Sequence, residues 1–180
     1  VGVDLAIKQT EKSDFTAMVV IYVFGEGENA QYYIGKPIIS SKLTLHGTVN
    51  TARQLYSILP KGYPVTFVVE DTGYQPAAIE DMGSYGIPVE GIKTHGQDKY
   101  TRASIITPLF EIHRVHVPES DLENFVLQLL RFPNDSHDDM VDAMVYALLK
   151  IQGLEGGSSE PQLLIAETLP DGSCRIIKDE

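Results

Sequence analysis

The fold of this chain is set by Ser136-His137-Asp138-Asp139-Met140-Val141-Asp142-Ala143 and the apolar residues that continue to Ile151. Apolar side chains recur here at helical spacing, which predicts a buried helix from Asp138 to Ile151. Acids are favoured in the first turn of a helix, and Ser136 to Asp139 fits a capping box, so capping alone would explain them. Asp139 and Asp142, however, share one face with apolar neighbours, where charges need a partner. We therefore treat this acidic cluster as a candidate ligand group.

Two more acidic positions lie far upstream, each at the end of a predicted strand. Asp4 belongs to the strand Val1 to Ala6, and Glu70 and Asp71 follow the apolar run Val65 to Val69. In open α/β sheets, ligands favour the carboxyl ends of parallel strands, which is where these acids are expected. The alternative interpretation is that they only cap loops and begin the next turn. These two positions and the acidic cluster at the start of the last helix are far apart in the sequence. They predict a cation site that forms only when the chain folds.

Alternation along a strand decides between Glu70 and Asp71. Successive side chains point to opposite faces, so only one of the two can share the face of Val68. We favour Glu70 and keep Asp71 in reserve. Ligands that are all oxygen suit hard cations such as Mg²⁺ or Mn²⁺ rather than zinc. Two such ions about 4 Å apart would activate water and stabilise the leaving oxygen in phosphodiester hydrolysis.

Two cations begin another predicted helix. Lys99 and Arg102 lie three residues apart near the start of the helix from Asp98 to Ile112. Positive charge there is slightly unfavourable for the helix, so a phosphate partner is a reasonable prediction. Ordinary surface charges explain the pair about equally well.

The remaining pattern predicts an α/β fold with one mixed sheet and helices on both of its faces. The runs Thr16 to Phe24 and Gln31 to Ser40 join the first strand in an antiparallel meander. Further strands and extended segments are predicted at Val65 to Val69, Ile87 to Ile92 and Val115 to Pro118, and further helices at Thr48 to Leu59, Gln75 to Tyr85 and Asp121 to Leu130.

The chain divides after the last helix. Residues 1–152 are predicted to form one domain, because 180 residues fit a single core and Gly153 to Ser159 is a glycine- and serine-rich break. Beyond the break, Leu163 to Ala166 and Cys174 to Ile177 flank an Asp-Gly turn, which predicts a β-hairpin within residues 153–180.

Composition narrows the classes of function. The net charge of −11 argues against broad, nonspecific affinity for nucleic acid but does not exclude nucleic acid as a substrate. The longest apolar run, Thr16 to Phe24, is far shorter than the roughly 20 residues that span a bilayer, so no membrane partner is expected. A single cysteine, Cys174, rules out an internal disulfide. The first residue is not methionine, and we expect the sequence to be part of a longer protein.

Five short motifs in order resemble the C-terminal nuclease domain of bacteriophage terminase large subunits. The resemblance covers roughly residues 1 to 150, and the final His-Asp-Asp with a following Asp-Ala is its most specific piece. The motifs are Gly2-Val3-Asp4-Leu5-Ala6, Ser13-Asp14-Phe15-Thr16-Ala17, Val69-Glu70-Asp71, Lys99-Tyr100-Thr101-Arg102-Ala103 and His137-Asp138-Asp139-Met140-Val141-Asp142-Ala143.

The resemblance implies an RNase H-like fold and a two-metal-ion endonuclease that cuts double-stranded viral DNA during genome packaging. Carried over by motif, the metal ligands would be Asp4, Glu70 and Asp139, with Asp138 and Asp142 in support and Asp71 as the alternative to Glu70. The resemblance also implies action in the host cytoplasm, with the terminase ATPase domain, the small terminase subunit and the portal as partners. No phosphate-binding loop of the ATPase type occurs in the sequence, so this chain is not the motor.

Two other classes of function fit part of the pattern. Gly-Val-Asp-Leu at the start of a mixed sheet also occurs in sugar kinases and actin-like ATPases, but those need a glycine-rich phosphate loop that residues 6–12 do not offer. A noncatalytic RNase H-like module for assembly is the other alternative, against which the retained acids argue.

Overall fold

The computed structural model describes residues 1–6, 15–71, 73, 75–118, 122–134 and 137–153, together with the backbones of 165–168 and 174–177. In chain order its elements are β1 (Gly2–Asp4), β2 (Thr16–Val19), β3 (Ile21–Phe24), β4 (Gln31–Ile34), β5 (Ile39–Ser41), α1 (Leu45–Ile58), β6 (Phe67–Glu70), α2 (Gln75–Ser84), β7 (Val89–Ile92), α3 (Lys99–Glu111), β8 (Val115–His116), α4 (Glu123–Arg131), α5 (Asp139–Ile151), β9 (Ile165–Thr168) and β10 (Cys174–Ile177).

The main sheet is mixed and has the strand order β5-β2-β1-β6-β7. β1 pairs antiparallel with β2 and parallel with β6, and β6 pairs parallel with β7. The apolar residues 67–69 of β6 are buried, as expected for a strand covered on both faces. The mixed sheet predicted from the sequence is therefore confirmed.

Helices cover both faces of this sheet, as the sequence also predicted. On one face, α1 and α2 pack with Val3, Phe67 and Val69 in one apolar core. On the other face, α5 and residues of α3 and α4 pack with Ala17, Val19 and Val68 in a second core. α5 is buried along most of its length and lies against β1, β2 and β6. Its N-terminal end therefore sits beside the strands that carry the predicted site.

The predicted meander is instead divided between two sheets. Thr16 to Phe24 is not one strand, because the chain leaves the main sheet at Val20, and β3 pairs with β4 in a second sheet of order β3-β4-β8. Gln31 to Ser40 is likewise two strands, separated by residues 35–38, where Pro37 has no N–H to donate. A continuous apolar run does not reveal where a strand bends from one sheet into another.

The C-terminal strands pair as predicted. β9 and β10 run antiparallel, with Cys174 opposite Thr168 and Ile177 opposite Ile165. The predicted turn at 171–172, the polar segment 8–14 and Ser136 lie outside the described residues. Among the described helices, none has the length and apolar character that a membrane crossing requires.

Candidate metal centre

Close contact between β1 and α5 fixes the position of Asp4. A Cβ atom on Gly2 would lie 1.7 Å from the carbonyl oxygen of Ala143, so only glycine permits this approach. Gly2 therefore faces α5, and alternation places Asp4, two residues later, on the same face. The carboxylate of Asp4 is directed to the N-terminal part of α5, where the other acids lie.

Glu70 lies on the neighbouring strand and on the same face. Val3 of β1 pairs with Val69 of β6, and continuing this parallel register by one residue sets Asp4 beside Glu70. Val68, two residues before Glu70, packs in the core that contains α5. The Oε1 atom of Glu70 accepts a hydrogen bond of 2.7 Å from the buried hydroxyl of Thr94, which follows β7. This bond fixes the orientation of the Glu70 carboxylate.

Asp71 lies on the opposite face of the sheet. A Cβ atom on Gly91 of β7 would come within 2.9 Å of the Asp71 Cβ and 3.2 Å of Ile79, a residue of the core beneath α1 and α2. The structure thus brings Asp4 and Glu70 together and sends Asp71 away from them. Which acid binds a metal stays a prediction.

The first turn of α5 carries the third group of acids. Asp138 is the residue at the N-cap, its side chain makes no capping bond, and Asp139 and Asp142 lie in the first turn. The backbone N–H of Met140 instead donates to Oε1 of Gln128 in α4, at 3.2 Å. Because an amide from another helix satisfies this N–H, the Asp138 carboxylate is left to make a different contact.

Asp138 and Asp142 each pair with a cation from the start of α3. Lys99 donates to Oδ2 of Asp138, and Arg102 Nη2 lies 3.2 Å from Oδ1 of Asp142. Arg102 is itself buried, with 8% of its surface exposed. The prediction that Lys99 and Arg102 contact phosphate stays a prediction, and in this structure both cations are bound to acids of the cluster.

Electrostatic coupling shows that the acids form one group. Burial is the largest cause that raises the pKa of Asp4 well above its ordinary value, and the charges of Asp142, Asp139, Glu70 and Asp138 raise it further, in that order. Burial is also the largest cause that raises the pKa of Asp142, and the pKa stays above its ordinary value although the charge and hydrogen bond of Arg102 lower it. Negative charge therefore accumulates around Asp4 in excess of what Lys99 and Arg102 offset.

Three residues that position the site were missed by sequence reasoning. Thr94 orients Glu70, Gln128 caps α5, and the buried hydroxyl of Tyr146 lies 3.4 Å from Arg102 Nη2. Tyr146 belongs to the apolar run of α5 and reads there as an ordinary core residue. The hint in the sequence was its spacing, since Asp142 and Tyr146 are four residues apart and so face the same way.

The donor set fits a hard divalent cation. Every candidate ligand is a carboxylate, and the excess negative charge that raises the pKa of Asp4 is what a divalent cation would offset. Among the described residues, no three His, Cys, Asp or Glu side chains stand close enough to hold a metal ion as they are. The acids are thus gathered but not closed around a single point.

Comparisons with known proteins agree with the observed fold. The profile of the family described as terminase RNaseH-like domain matches residues 1–151. Among solved structures, the large terminase nuclease from thermophilic phage G20c with bound zinc is similar at a TM-score of 0.52 and 17% identity, over 73% of this chain and 80% of that chain. The structure of the same nuclease with bound magnesium is similar at a TM-score of 0.50 and 17% identity, over 73% of this chain and 80% of that chain. No curated protein sequence matches significantly.

Proposed function

Since this chain belongs to the terminase RNase H-like domain family, we propose that it is a metal-dependent endonuclease that cuts double-stranded viral DNA during genome packaging. The observation that carries the proposal is the partly buried Asp4, whose pKa is raised by burial and by four carboxylates from β6 and the start of α5. A buried carboxylate surrounded by other carboxylates is the environment in which a divalent cation binds.

The proposed ligands are Asp4, Glu70 and Asp139, with Asp138 and Asp142 in support. Two bound ions of Mg²⁺ or Mn²⁺ would activate water for attack on phosphorus and stabilise the leaving oxygen. The chain's own residues hold the carboxylates in place. Thr94 holds the carboxylate of Glu70 at 2.7 Å, and the contact of Gly2 with α5 holds β1 against the helix that carries Asp139. Binding of magnesium by the structurally similar phage nuclease supports this choice of ion.

The proposal extends to the setting of the reaction. Residues 1–152 form the nuclease domain, and residues 153–180 add a link and a hairpin to it. In the intact assembly the domain works in the host cytoplasm with a packaging ATPase domain, a small terminase subunit and the portal. A packaging nuclease receives DNA from the motor, which explains how a chain of net charge −11 reaches a polyanionic substrate.

A plasmid-cleavage assay tests the proposal. The whole chain is incubated with supercoiled DNA and Mn²⁺ or Mg²⁺, with EDTA as the metal-free control. Asp4→Asn and Glu70→Gln keep the shape of each side chain but remove its charge, and each should reduce cleavage by roughly 100-fold or more, because a lost ligand removes metal-assisted stabilisation of the transition state. Asp71→Asn is the matched control on the opposite face and should cut like the wild type.

Each result has a defined meaning. Cleavage that survives EDTA, or that Asp4→Asn leaves unchanged, would contradict a metal-dependent reaction at this centre. Loss of activity in Asp71→Asn but not in Glu70→Gln would reverse the assignment of the β6 ligand. No cleavage by the wild type with either metal would favour a noncatalytic role in assembly.

A further inference from the structure

Two cations of α3 pair with acids of the metal centre, and they do so in different surroundings. The side chain of Lys99 is 44% exposed, whereas that of its partner Asp138 is 10% exposed. The side chains of Arg102 and Asp142 are 10% and 11% exposed. One pair is therefore open to solvent on the cation side, and the other is enclosed on both sides.

Arg102 is held by several contacts besides Asp142. Its Nη1 donates to the carbonyl oxygen of Gln97 at 2.6 Å, its Nη2 approaches the hydroxyl of Tyr146, and its guanidinium lies 5.4 Å from the centre of the Tyr146 ring. A planar guanidinium fixed by a carbonyl, a carboxylate and an aromatic ring cannot leave without breaking all three contacts. The Arg102–Asp142 pair is thus held by more contacts than the ion pair alone.

Lys99 makes fewer stabilising contacts than Arg102. Within the part of the chain that the structure describes, Asp138 is the only side chain to which the Lys99 ammonium is bonded. Burial lowers the pKa of Lys99, but the hydrogen bond and the charge of Asp138 outweigh it, so Lys99 remains a cation. An ammonium on a flexible, exposed stem gains little from a single ion pair.

We propose that Lys99 is an exchangeable counter-ion that a divalent cation displaces from Asp138, whereas Arg102 stays paired with Asp142. This inference rests on the proposed function, since it requires a metal centre at Asp4, Glu70 and Asp139. Lys99 offsets the Asp138 charge before the metal arrives, and a doubly charged ion with several oxygen ligands replaces it. Lys99 is therefore a positioning residue of the metal-free centre and a competitor of the metal.

Metal affinity of the whole chain without DNA tests the exchange, because it does not depend on turnover. Mn²⁺ is titrated into the wild type and into Lys99→Met by calorimetry. If Lys99 competes for Asp138, its removal should tighten Mn²⁺ binding by roughly two- to fivefold, the equilibrium equivalent of an exposed ion pair. Lys93→Met is the matched control, because Lys93 is exposed at the same end of the sheet, and it should change Mn²⁺ affinity less.

A double-mutant cycle makes the test specific to the Lys99–Asp138 pair. In an Asp138→Asn background, Lys99→Met should have no further effect on Mn²⁺ affinity. Unchanged or weaker Mn²⁺ binding in Lys99→Met, while the wild type binds Mn²⁺, would overturn the exchange and leave the proposed nuclease intact. If the wild type binds no Mn²⁺, the metal centre itself fails and the exchange fails with it.

Discussion

The buried pair of Arg102 and Asp142 gives the sharpest prediction for stability. Arg102→Met keeps an unbranched side chain but removes the guanidinium, which leaves the Asp142 carboxylate enclosed without its cation. It also removes the donors to the Gln97 carbonyl and the Tyr146 hydroxyl. Breaking a buried ion pair by deleting one partner costs about 3–5 kcal/mol, because the remaining charge stays desolvated. We expect the free energy of unfolding to fall by that amount.

Urea and thermal unfolding of the metal-free protein, followed by circular dichroism, measure this loss. For a chain of this size each kcal/mol lowers Tm by about 2–4 °C, so Arg102→Met should lower Tm by about 6–20 °C. Lys99→Met removes an exposed partner and should cost less than about 1 kcal/mol. The double variant Arg102→Met with Asp142→Leu should regain most of the stability, since apolar residues can replace a buried pair without loss.

Two outcomes would refute this reasoning. If the free energy of unfolding of Arg102→Met lies within about 1 kcal/mol of the wild-type value, the Asp142 carboxylate is not enclosed as the structure shows. If the double variant is no more stable than Arg102→Met alone, the loss comes from the other contacts of Arg102 and not from an uncompensated carboxylate.

Two further predictions concern Gly2 and Asp4. Gly2→Ala would place a Cβ atom 1.7 Å from the Ala143 carbonyl oxygen, and it should lower the free energy of unfolding measured in urea by about 3 kcal/mol or more. Gly83→Ala in α2 is the control, because its Cβ would meet only Val89, at 3.9 Å, and it should be neutral or stabilising. Burial and nearby acids raise the pKa of Asp4 above 3.8 in the folded protein. Above that pH the folded metal-free protein therefore binds more protons than the unfolded chain. The contribution of Asp4 to the free energy of unfolding should then fall as pH rises towards the raised pKa. Urea titrations from pH 4 upwards should show that the free energy of unfolding declines less with pH in Asp4→Asn than in the wild type. An equal decline in the two proteins would contradict the raised pKa of Asp4.

Much of the fold follows from patterns within short windows of sequence. Helical periodicity predicted α5 to within one residue of its observed start, and the apolar run before Glu70 predicted a strand covered on both faces. The break of Thr16 to Phe24 at Val20 could not be predicted in this way, because both halves are apolar and extended. Only the pairing partners distinguish them, and these lie in different sheets.

The sequence by itself determined which acids are candidates and the kind of cation they suit, because residue type and spacing carry that information. The tertiary structure decided which acids meet. It set Glu70 beside Asp4 and turned Asp71 to the other face, and it paired Lys99 with Asp138 and Arg102 with Asp142, partners 39 and 40 residues apart. Pairs so distant along the chain depend on how α3 and α5 pack against the sheet, and no local period in the sequence encodes that packing.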